Sequence, residues 1–368
     1  MEAKAAIFRR PHEALTFESI ELDDPAPREV LVRIVASGVC HSDLHFVDGG
    51  IPWRSPDPMV LGHEGAGVIL AAGDQVTTVS PGDHVVGCLS GFCGTCEQCH
   101  SGHPNRCVDR VVGRGASAPP RISQDGTPVA QFANLGAFAD HMLVHENSIV
   151  RIDGDIPLDR AALVGCGVLT GVGTALRTAR VEPGQTVAVL GCGGVGLSIV
   201  QGARIAGASR IIAVDMFDSK LEMATAMGAT HAVNSGSEGG EDAVAAIREA
   251  AGGSGVDHAF EAVGLPDLVR QAVESLAIGG TATVVGVLPP GSTIAFPWEA
   301  LRPECRVQTS RMGSNRFRID IPRYLEFYRD GRLLLDEMVS RRGPLEDVND
   351  AFRAMKEGEV ARTVLMFE

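Results

Sequence analysis

The chain has 368 residues, more than one hydrophobic core usually organises, so we expect two domains. Its 45% hydrophobic and 21% charged residues are typical of a globular protein and argue against wholesale disorder and against a coiled coil. The net charge is −14, with 32 Lys and Arg against 46 Asp and Glu, so neither nucleic acid nor an anionic membrane surface is an expected partner.

The beginning of the chain is charged and lacks a continuous apolar segment, so we expect no secretory signal. Every apolar stretch is interrupted before it reaches the length of about 18 residues that a membrane helix needs. We therefore expect a cytoplasmic protein. Four of the nine cysteines lie within fifteen residues, and in a reducing compartment such clustering favours a metal site over disulfides.

Residues 1–167 contain short segments of alternating hydrophobicity, such as Val30–Val35, Gly67–Leu70 and Asp83–Gly87. Proline and glycine separate these segments, which is typical of an antiparallel β domain with tight turns. The stretch Arg121–Ala130 is predicted to be an exposed loop.

From about residue 185 the pattern changes to alternating strands and helices. Such a pattern predicts a doubly wound parallel sheet with helices on both faces. The predicted strands are Thr186–Leu190, Arg210–Asp215, His231–Val233, Val256–Phe260 and Thr281–Val287. The predicted helices are Gly194–Gly207, Ser219–Met227, Glu241–Ala251 and Pro266–Leu276, and the tail adds a helix over Asp320–Arg329 and a strand over Arg362–Phe367.

Four cysteines, Cys93, Cys96, Cys99 and Cys107, have the spacing C-x2-C-x2-C-x7-C. Four thiolates on one short loop can close a tetrahedron around zinc and leave no position for a substrate, so we predict a structural metal site. The spacing also suits an iron–sulfur cluster, and four ordinary buried cysteines are a further alternative.

A second group of potential ligands contains Cys40 and His63. One thiolate and one imidazole are half of a catalytic zinc site, which leaves its fourth position to water or substrate. The third ligand must be an acid or one of four other cysteines, Cys88, Cys166, Cys192 and Cys305. Cys166 lies at the predicted domain boundary, where a cleft would form, and this position favours it.

A glycine-rich motif directly follows the first strand of the α/β region. It reads G-x-G-x-x-G and includes Gly191, Gly193, Gly194, Val195 and Gly196. Backbone amides and a helix N-terminus in this context bind the pyrophosphate of a dinucleotide, and an acid after the next strand binds a ribose diol. Asp215 is that acid, and it favours NAD over NADP because its carboxylate repels a 2′-phosphate. A plain tight turn with an aspartate at a strand end is the alternative.

Together these motifs carry a family resemblance. Over essentially its whole length the chain resembles the zinc-dependent medium-chain alcohol dehydrogenases, in the four-cysteine loop and in the segments Gly38–Asp43, Leu61–Gly67, Gly165–Gly171, Leu190–Gly196 and Ala361–Leu365. The 58 residues between Cys107 and Cys166 resemble the longer branch that contains the liver and glutathione-formaldehyde types.

The resemblance implies two zinc ions per chain. The catalytic zinc would be held by Cys40, His63 and Cys166, and the structural zinc by the four clustered cysteines. Asp43 and Glu64 match positions at which carboxylates orient the ligand imidazole and tune the metal.

The resemblance also implies a set of residues around NAD. His41 and Arg362 match positions that contact the cofactor pyrophosphate, and Lys220 matches one near the adenosine ribose. The remaining positions assigned to cofactor binding are Val263, Val285 and Val287.

For the reaction, the resemblance implies that zinc polarises the alcohol oxygen while hydride passes to NAD. Ser42 would accept the proton and pass it, through the ribose hydroxyl, to His45. Trp53, Leu89 and Val287 fall near positions that line the substrate pocket in relatives. Ser42 stands where relatives carry a threonine, which leaves more room beside the metal.

We therefore predict a GroES-like antiparallel β domain over residues 1–167 and 311–368, and a Rossmann NAD-binding domain over 168–310. The predicted function is reversible oxidation of a primary or secondary alcohol to an aldehyde or ketone by a homodimer or homotetramer. One alternative is a dehydrogenase for formaldehyde adducts of a small thiol, although Val108–Asn134 has no clear match to the glutathione-binding branch. Another is a catalytically silent, zinc-stabilised binding protein that retains NAD.

Overall fold

The computed structural model describes residues 1–53, 55, 57–109, 112–115, 117–236, 242–358 and 361–368. The chain divides into two compact units. Unit 1 contains Met1–Cys166, Arg316–Gly331 and Leu335–Glu368, and unit 2 contains Gly167–Asn315 and Arg332–Leu334.

The strands are numbered in chain order. Those up to residue 152 are β1 (Glu2–Phe8), β2 (Thr16–Leu22), β3 (Glu29–Gly38), β4 (Met59–Val60), β5 (Glu64–Ala72), β6 (His84–Gly87), β7 (Ile122–Gln124), β8 (Thr127–Pro128), β9 (Ala130–Gln131), β10 (His141–His145) and β11 (Ile149–Ile152). The later strands are β12 (Thr186–Leu190), β13 (Arg210–Asp215), β14 (His231–Asn234), β15 (Val256–Glu261), β16 (Leu276–Val284), β17 (Arg306–Thr309), β18 (Val339–Gly343) and β19 (Arg362–Met366).

The helices are numbered in the same way. They are α1 (His41–Val47), α2 (Glu97–His100), α3 (Leu158–Val164), α4 (Gly167–Gly173), α5 (Gly194–Ala206), α6 (Asp218–Ala226), α7 (Ala243–Ala250), α8 (Pro266–Glu274), α9 (Phe317–Arg329) and α10 (Val348–Lys356). No single described helix is long and apolar enough to cross a membrane. Helix α4 continues as a π-helix over Thr174–Ala179, and α3 together with Gly167–Ala179 meets those criteria only when the two parts are counted together.

Unit 1 contains two β-sheets. One has the strand order β8-β7-β2-β1-β4-β9, and the other has the order β11-β6-β5-β3-β19-β18 with β10 paired to β3. Strand β3 shows why the sequence folds this way: Val30, Val32 and Ile34 alternate with less buried residues and pack into one core. The antiparallel β domain is confirmed, with parallel pairing only at β4–β9 and β18–β19 among the described strands of unit 1.

The stretch that was predicted to be an exposed loop is a β-hairpin, so that prediction is wrong. Strands β7 and β8 pair through a turn at Asp125 and Gly126, both of which have positive φ. An Asp-Gly pair between short strands is a strong hairpin signal because both residues tolerate this conformation. The first residue of the stretch, Arg121, is buried, and its Nε donates to Glu29 at 2.7 Å.

Buried ion pairs fix the chain that follows Cys107. The Glu29 carboxylate accepts hydrogen bonds from both Arg114 and Arg121, and Arg121 also donates to the carbonyl of Val112. Burial alone would raise the pKa of Glu29, but the two guanidinium groups outweigh it and lower the pKa to about 2. This cluster attaches the segment after the four cysteines to strand β3.

Unit 2 is built on a parallel six-stranded sheet with the order β14-β13-β12-β15-β16-β17. Residues such as Leu190, Ile212 and Ala259 from neighbouring strands form its core with the helices. The order reverses between β12 and β15, which makes the carboxyl ends of these two strands the place where open α/β sheets bind ligands. The predicted doubly wound sheet is confirmed.

Two details of the α/β prediction differ in the structure. The last predicted strand of that series runs over Leu276–Val284 instead of Thr281–Val287. The third predicted helix is α7, which spans Ala243–Ala250, while its predicted first residue, Glu241, lies outside the described residues.

Candidate active site

The four cysteines of the predicted structural site converge on one point. Their sulfur atoms are 3.8 Å apart for Cys93 and Cys99, 3.6 Å for Cys96 and Cys99, 3.8 Å for Cys96 and Cys107, and 3.5 Å for Cys107 and Cys93. Four sulfurs at about 2.3 Å from one zinc ion in a tetrahedron are about 3.8 Å apart. The sulfur atoms are therefore spaced to hold a single tetrahedral ion.

Backbone amides around these cysteines favour negative charge on sulfur. The amides of Thr95 and Cys96 donate to Cys93 Sγ at 3.3 and 3.2 Å. The hydrogen bonds from Thr95 are the main reason that the pKa of Cys93 is lowered to about 6. Burial instead raises the pKa of Cys99 to about 12. The loop thus stabilises negative charge on the Cys93 sulfur, whereas a bound cation would be needed to favour the thiolate form of Cys99.

A second group of potential ligands lies in unit 1. Cys40, His63, Glu64 and Cys166 each offer one donor atom, and these atoms lie within 4.8 Å of one another. Both cysteines are 6% exposed, and His63 and Glu64 are fully buried. Two thiols, an imidazole and a carboxylate in a buried cluster fit the ligand preferences of zinc.

Strand pairing explains how the first three of these residues meet. In the antiparallel pair β3–β5, Gly38 at the end of β3 lies opposite Glu64 at the start of β5. The chain beyond β3 therefore carries Cys40 to the same sheet end at which His63 enters β5. Cys166 reaches the cluster from much later in the sequence, just after α3.

A buried carboxylate fixes the orientation of His63. The ring nitrogen Nδ1 lies 3.2 Å from Asp43 Oδ1, which also accepts a hydrogen bond from the Gly62 amide at 2.9 Å. The other ring nitrogen, Nε2, is buried and has no hydrogen-bond partner among the described residues. A carboxylate on one imidazole nitrogen with the other nitrogen unpaired is the arrangement of a metal-binding histidine.

The charges of the cluster favour a cation. The hydrogen bond between the two thiols is the main reason that the pKa of Cys40 falls well below its usual value while that of Cys166 rises well above it. Burial opposes a charged His63 ring, but the negative charges of Asp43 and Cys40 outweigh it and raise the pKa of His63 to about 10. Positive charge is therefore stabilised at this point, as zinc binding requires.

Glu64 has a second neighbour. Its carboxylate forms an ion pair with Arg362, and both side chains are buried. The guanidinium group thus balances the charge of Glu64 beside the two thiols. The predicted contact between Arg362 and a cofactor pyrophosphate stays a prediction.

The glycine motif of unit 2 forms the turn between β12 and α5. Gly191 has a φ of +97°, and a Cβ on Gly196 would overlap the Gly191 carbonyl oxygen, so both positions require glycine. A Cβ on Gly193 would meet nothing within 4 Å, which leaves open space at the start of a 13-residue helix. This open turn at a helix N-terminus fits a dinucleotide pyrophosphate.

Asp215 lies at the carboxyl end of β13 and is attached to this turn. Its Oδ2 accepts a hydrogen bond from the Cys192 amide at 2.8 Å, and its Oδ1 accepts bonds from Met216 and Phe217 at 2.8 and 3.2 Å. The neighbouring Lys220 places its Nζ 4.7 Å from the centre of the Phe217 ring. The carboxylate is thus held in a fixed orientation beside the glycine turn.

Comparison with known proteins places the chain in a family. The family model "Alcohol dehydrogenase GroES-like domain" matches residues 26–154, and "Zinc-binding dehydrogenase" matches residues 194–329. An S-(hydroxymethyl)glutathione dehydrogenase of Haemophilus influenzae is 36% identical over 375 residues, covering 100% of this chain and 98% of the relative. The chain belongs to the zinc-dependent medium-chain alcohol dehydrogenases.

Two further members extend the comparison. An NDMA-dependent alcohol dehydrogenase of Amycolatopsis methanolica is 38% identical over 373 residues, covering 100% of this chain and 99% of the relative. The crystal structure of benzyl alcohol dehydrogenase from Acinetobacter calcoaceticus has a TM-score of 0.92 and 33% identity, with 100% of each chain covered. This chain is accordingly an oxidoreductase that acts on CH–OH donors.

Besides Asp43, three predicted site residues of the dehydrogenase lie on α1, next to Cys40. His41 is exposed, whereas Ser42 and His45 are half-buried. Residues three apart lie on the same face of a helix, so Ser42 and His45 are neighbours along one side of α1. Their predicted roles in proton transfer stay predictions.

The other predicted cofactor and pocket residues lie in three places. Val263 follows β15 of the dehydrogenase and is 46% exposed. Val285 and Val287 follow β16, where Val285 is half-buried and Val287 is 55% exposed. Trp53 and Leu89 are half-buried in unit 1, where they pack against two different hydrophobic cores. The structure therefore does not place Trp53 and Leu89 in one common core.

Sequence reasoning missed one aromatic neighbour of the potential ligand His63. The ring of Phe132 lies 5.1 Å from the ring of His63 at an interplanar angle of 82°. Phe46 lies 5.0 Å from Phe132, and Trp53 lies 6.3 Å from Phe46, so the rings form a row. Phe132 begins a 3-10 helix of three residues, which is too short to show a periodic pattern, so no local signal reveals this contact.

Sequence reasoning also passed over Glu261, a fully buried carboxylate at the carboxyl end of β15. A signal for it exists, because an acid that ends an apolar strand of a parallel sheet lies at the ligand-binding edge.

Proposed function

We propose that the chain is an NAD-linked alcohol dehydrogenase that holds two zinc ions and reversibly oxidises a primary or secondary alcohol to an aldehyde or ketone. The observation that carries the proposal is the buried cluster of Cys40, His63 and Cys166, with Asp43 on the far nitrogen of the imidazole. Bound there, zinc would act as a Lewis acid on the alcohol oxygen, and NAD would accept the hydride.

The chain's own residues would orient the metal ligand and move the proton. Asp43 holds the His63 ring so that Nε2 points away from the carboxylate. Ser42, two residues from Cys40, would take the alcohol proton, and His45, on the same face of α1, would release it. Removal of the proton is necessary because the alcohol must lose both a proton and a hydride to become a carbonyl.

The second zinc would have a structural role. The sulfur–sulfur distances of 3.5–3.8 Å in the four-cysteine loop match one tetrahedral ion. An iron–sulfur cluster of several ions needs wider spacing between its cysteine ligands, so this geometry supports zinc over the cluster alternative.

The substrate class is inferred from the row of aromatic rings beside the proposed catalytic zinc site. Phe132 and Trp53 are half-buried, and with Phe46 they give an apolar, aromatic surface next to His63. Aromatic rings pair well with other rings, so an aromatic primary alcohol such as benzyl alcohol fits this surface. The structural relative named benzyl alcohol dehydrogenase supports the same substrate class.

The function is tested by an activity screen over primary, secondary and aromatic alcohols with NAD. We expect NAD-dependent turnover without any added thiol, and absence of turnover with every alcohol would contradict the proposal. The second candidate, oxidation of a formaldehyde adduct of a thiol, is favoured by relatives named S-(hydroxymethyl)glutathione dehydrogenase. Formaldehyde oxidation that requires glutathione, with no activity on free alcohols, would favour that candidate.

Replacing Phe132 by alanine should lower kcat/KM for benzyl alcohol by about fivefold and change that for ethanol much less. The reason is that an aromatic pair contributes about 1 kcal/mol beyond its buried area, and only the aromatic substrate can form it. The ratio of the two kcat/KM values is the measurement, so a general effect on His63 cancels. An unchanged ratio would show that this ring does not contact substrate.

Replacing Asp215 by alanine should lower the ratio of kcat/KM for NAD to kcat/KM for NADP by about tenfold or more. The carboxylate binds a ribose diol and repels a 2′-phosphate, and its loss removes both effects. The measurement is kcat/KM for each cofactor in the wild type and the variant. Equal efficiency of the wild type with both cofactors would contradict the assignment of Asp215.

The domain roles, quaternary structure and location rest on the family resemblance. We place zinc and substrate binding in residues 1–167 and 311–368, and NAD binding in 168–310. A cytoplasmic homodimer or homotetramer is expected. Light scattering on the purified chain tests the oligomeric state, and a monomer would contradict it.

A further inference from the structure

Glu261 occupies a central position at the ligand-binding edge of the parallel sheet. It is the last residue of β15, where it lies opposite Leu190 at the end of β12 and Val284 at the end of β16. Its side chain is fully buried. The glycine turn starts one residue after Leu190, so Glu261 is adjacent to the strand that leads into the proposed dinucleotide site.

The carboxylate of Glu261 holds the loop that follows β15. Its Oε1 accepts hydrogen bonds from the amides of Val263 at 2.8 Å, Gly264 at 2.5 Å and Leu265 at 3.4 Å. Its Oε2 is buried and has no hydrogen-bond partner among the described residues. The side chain of Glu261 therefore binds the backbone amides of one loop. This role requires an oxygen atom that accepts hydrogen bonds.

The backbone of Glu261 holds a second loop. Its carbonyl oxygen accepts hydrogen bonds from the amides of Val285 at 2.8 Å and Gly286 at 3.2 Å, which follow β16. The two loops touch through their backbones, because a Cβ on Gly286 would overlap the amide nitrogen of Gly264. Side chain and backbone of one residue thus join the loops that carry Val263, Val285 and Val287.

The first of these loops also contacts the glycine turn. A Cβ on Gly191 would overlap Cγ2 of Val263, so the Val263 side chain packs directly against the turn. Movement of Val263 would consequently change the space above Gly191. The position of Val263 in turn depends on the hydrogen bond between its amide and Glu261.

We propose that Glu261 is a positioning residue for the dinucleotide: it holds the two loops against the glycine turn and thereby sets the affinity for both oxidised and reduced NAD. The inference rests on the proposed NAD site. Glu261 acts through the backbone of the loops, so the oxidised and reduced cofactors should be affected by the same factor. A carboxylate that acted by its charge on the nicotinamide ring would instead favour the oxidised form.

The experiment measures equilibrium binding of NAD and NADH to three variants, by calorimetry and by NADH fluorescence. Glu261→Ala removes the acceptor of three amides and should weaken both cofactors by about tenfold or more, as the loss of one or two net hydrogen bonds implies. Glu261→Gln keeps an acceptor oxygen and should bind both cofactors within about threefold of the wild type. Gly264→Ala separates the loops at a position where φ is +97° and should weaken binding as Glu261→Ala does.

Asp257→Ala provides a matched control at the opposite end of β15. Asp257 Oδ2 accepts hydrogen bonds from the Thr186 amide at 2.7 Å and from its hydroxyl at 2.8 Å, far along the strand from the loops. This variant should lose thermal stability but keep wild-type affinity for both cofactors. If Glu261→Ala does not fold, the Gly264→Ala variant tests the same loop contact.

Three results would overturn the inference. They are wild-type affinity in Glu261→Ala or Gly264→Ala, equal weakening in Asp257→Ala, and a loss confined to the oxidised cofactor. A wild-type chain that binds neither NAD nor NADH would overturn the proposed function as well, so the two failures are distinguishable.

Discussion

Replacing Cys166 by serine should lower turnover by on the order of a hundredfold or more and remove one of two zinc ions, while the chain stays folded. Replacing Cys96 by serine should instead lower the melting temperature by roughly 10 °C or more, because the free energy of binding a structural zinc is folding free energy. The reason for the difference is location. Cys166 completes a fully packed, buried group of ligands, whereas Cys96 helps to close a loop that contains a four-residue α-helix and a three-residue 3-10 helix.

Metal analysis, turnover and thermal unfolding of the same preparations test this pair of expectations. Cys88→Ala is a matched control, because Cys88 is fully buried and burial raises the pKa of its thiol to about 12, yet it does not belong to either group of potential ligands. The control should retain two zinc ions and wild-type turnover. One zinc per wild-type chain, or a substantial content of iron, would contradict the two-zinc assignment.

Local patterns in the sequence predict most of the fold and two of the binding elements. The four cysteines lie within fifteen residues, so their spacing alone determines that they can meet. The glycine motif is likewise predictable because strand, turn and helix follow one another directly. In both cases the residues that act together are close in the sequence.

Long-range pairing explains what the sequence could not predict. Cys166 joins Cys40 and His63 from more than a hundred residues away, so the residues alone left the third ligand open among four cysteines and an acid. Phe132 contacts His63 from a 3-10 helix of three residues, and this contact depends on how the whole unit packs. The prediction of an exposed loop over Arg121–Ala130 was wrong because short strands without a long alternating pattern give a weak sequence signal. The Asp-Gly turn of the hairpin was nevertheless visible in the sequence.

The proton path gives the second large expected effect. Ser42→Ala should lower kcat by on the order of a hundredfold or more at every pH, since it removes the positioned group that accepts the alcohol proton. Ser42→Thr keeps a hydroxyl at the same position and serves as the matched control, with turnover close to that of the wild type. Zinc content and NAD affinity should not change in either variant, because Ser42 is not assigned as a ligand of zinc or NAD.

His45 should contribute less than Ser42, although both lie on one face of α1. His45 is half-buried and one helical turn further from Cys40, where water can replace it as a proton acceptor. His45→Gln should therefore slow turnover only several-fold, and imidazole-type buffers should restore part of the rate because they supply the missing base. Steady-state rates with and without such a buffer test the order of the two residues. Full activity in Ser42→Ala, or loss of its zinc, would show that Ser42 has a structural role and that the proton leaves by another path.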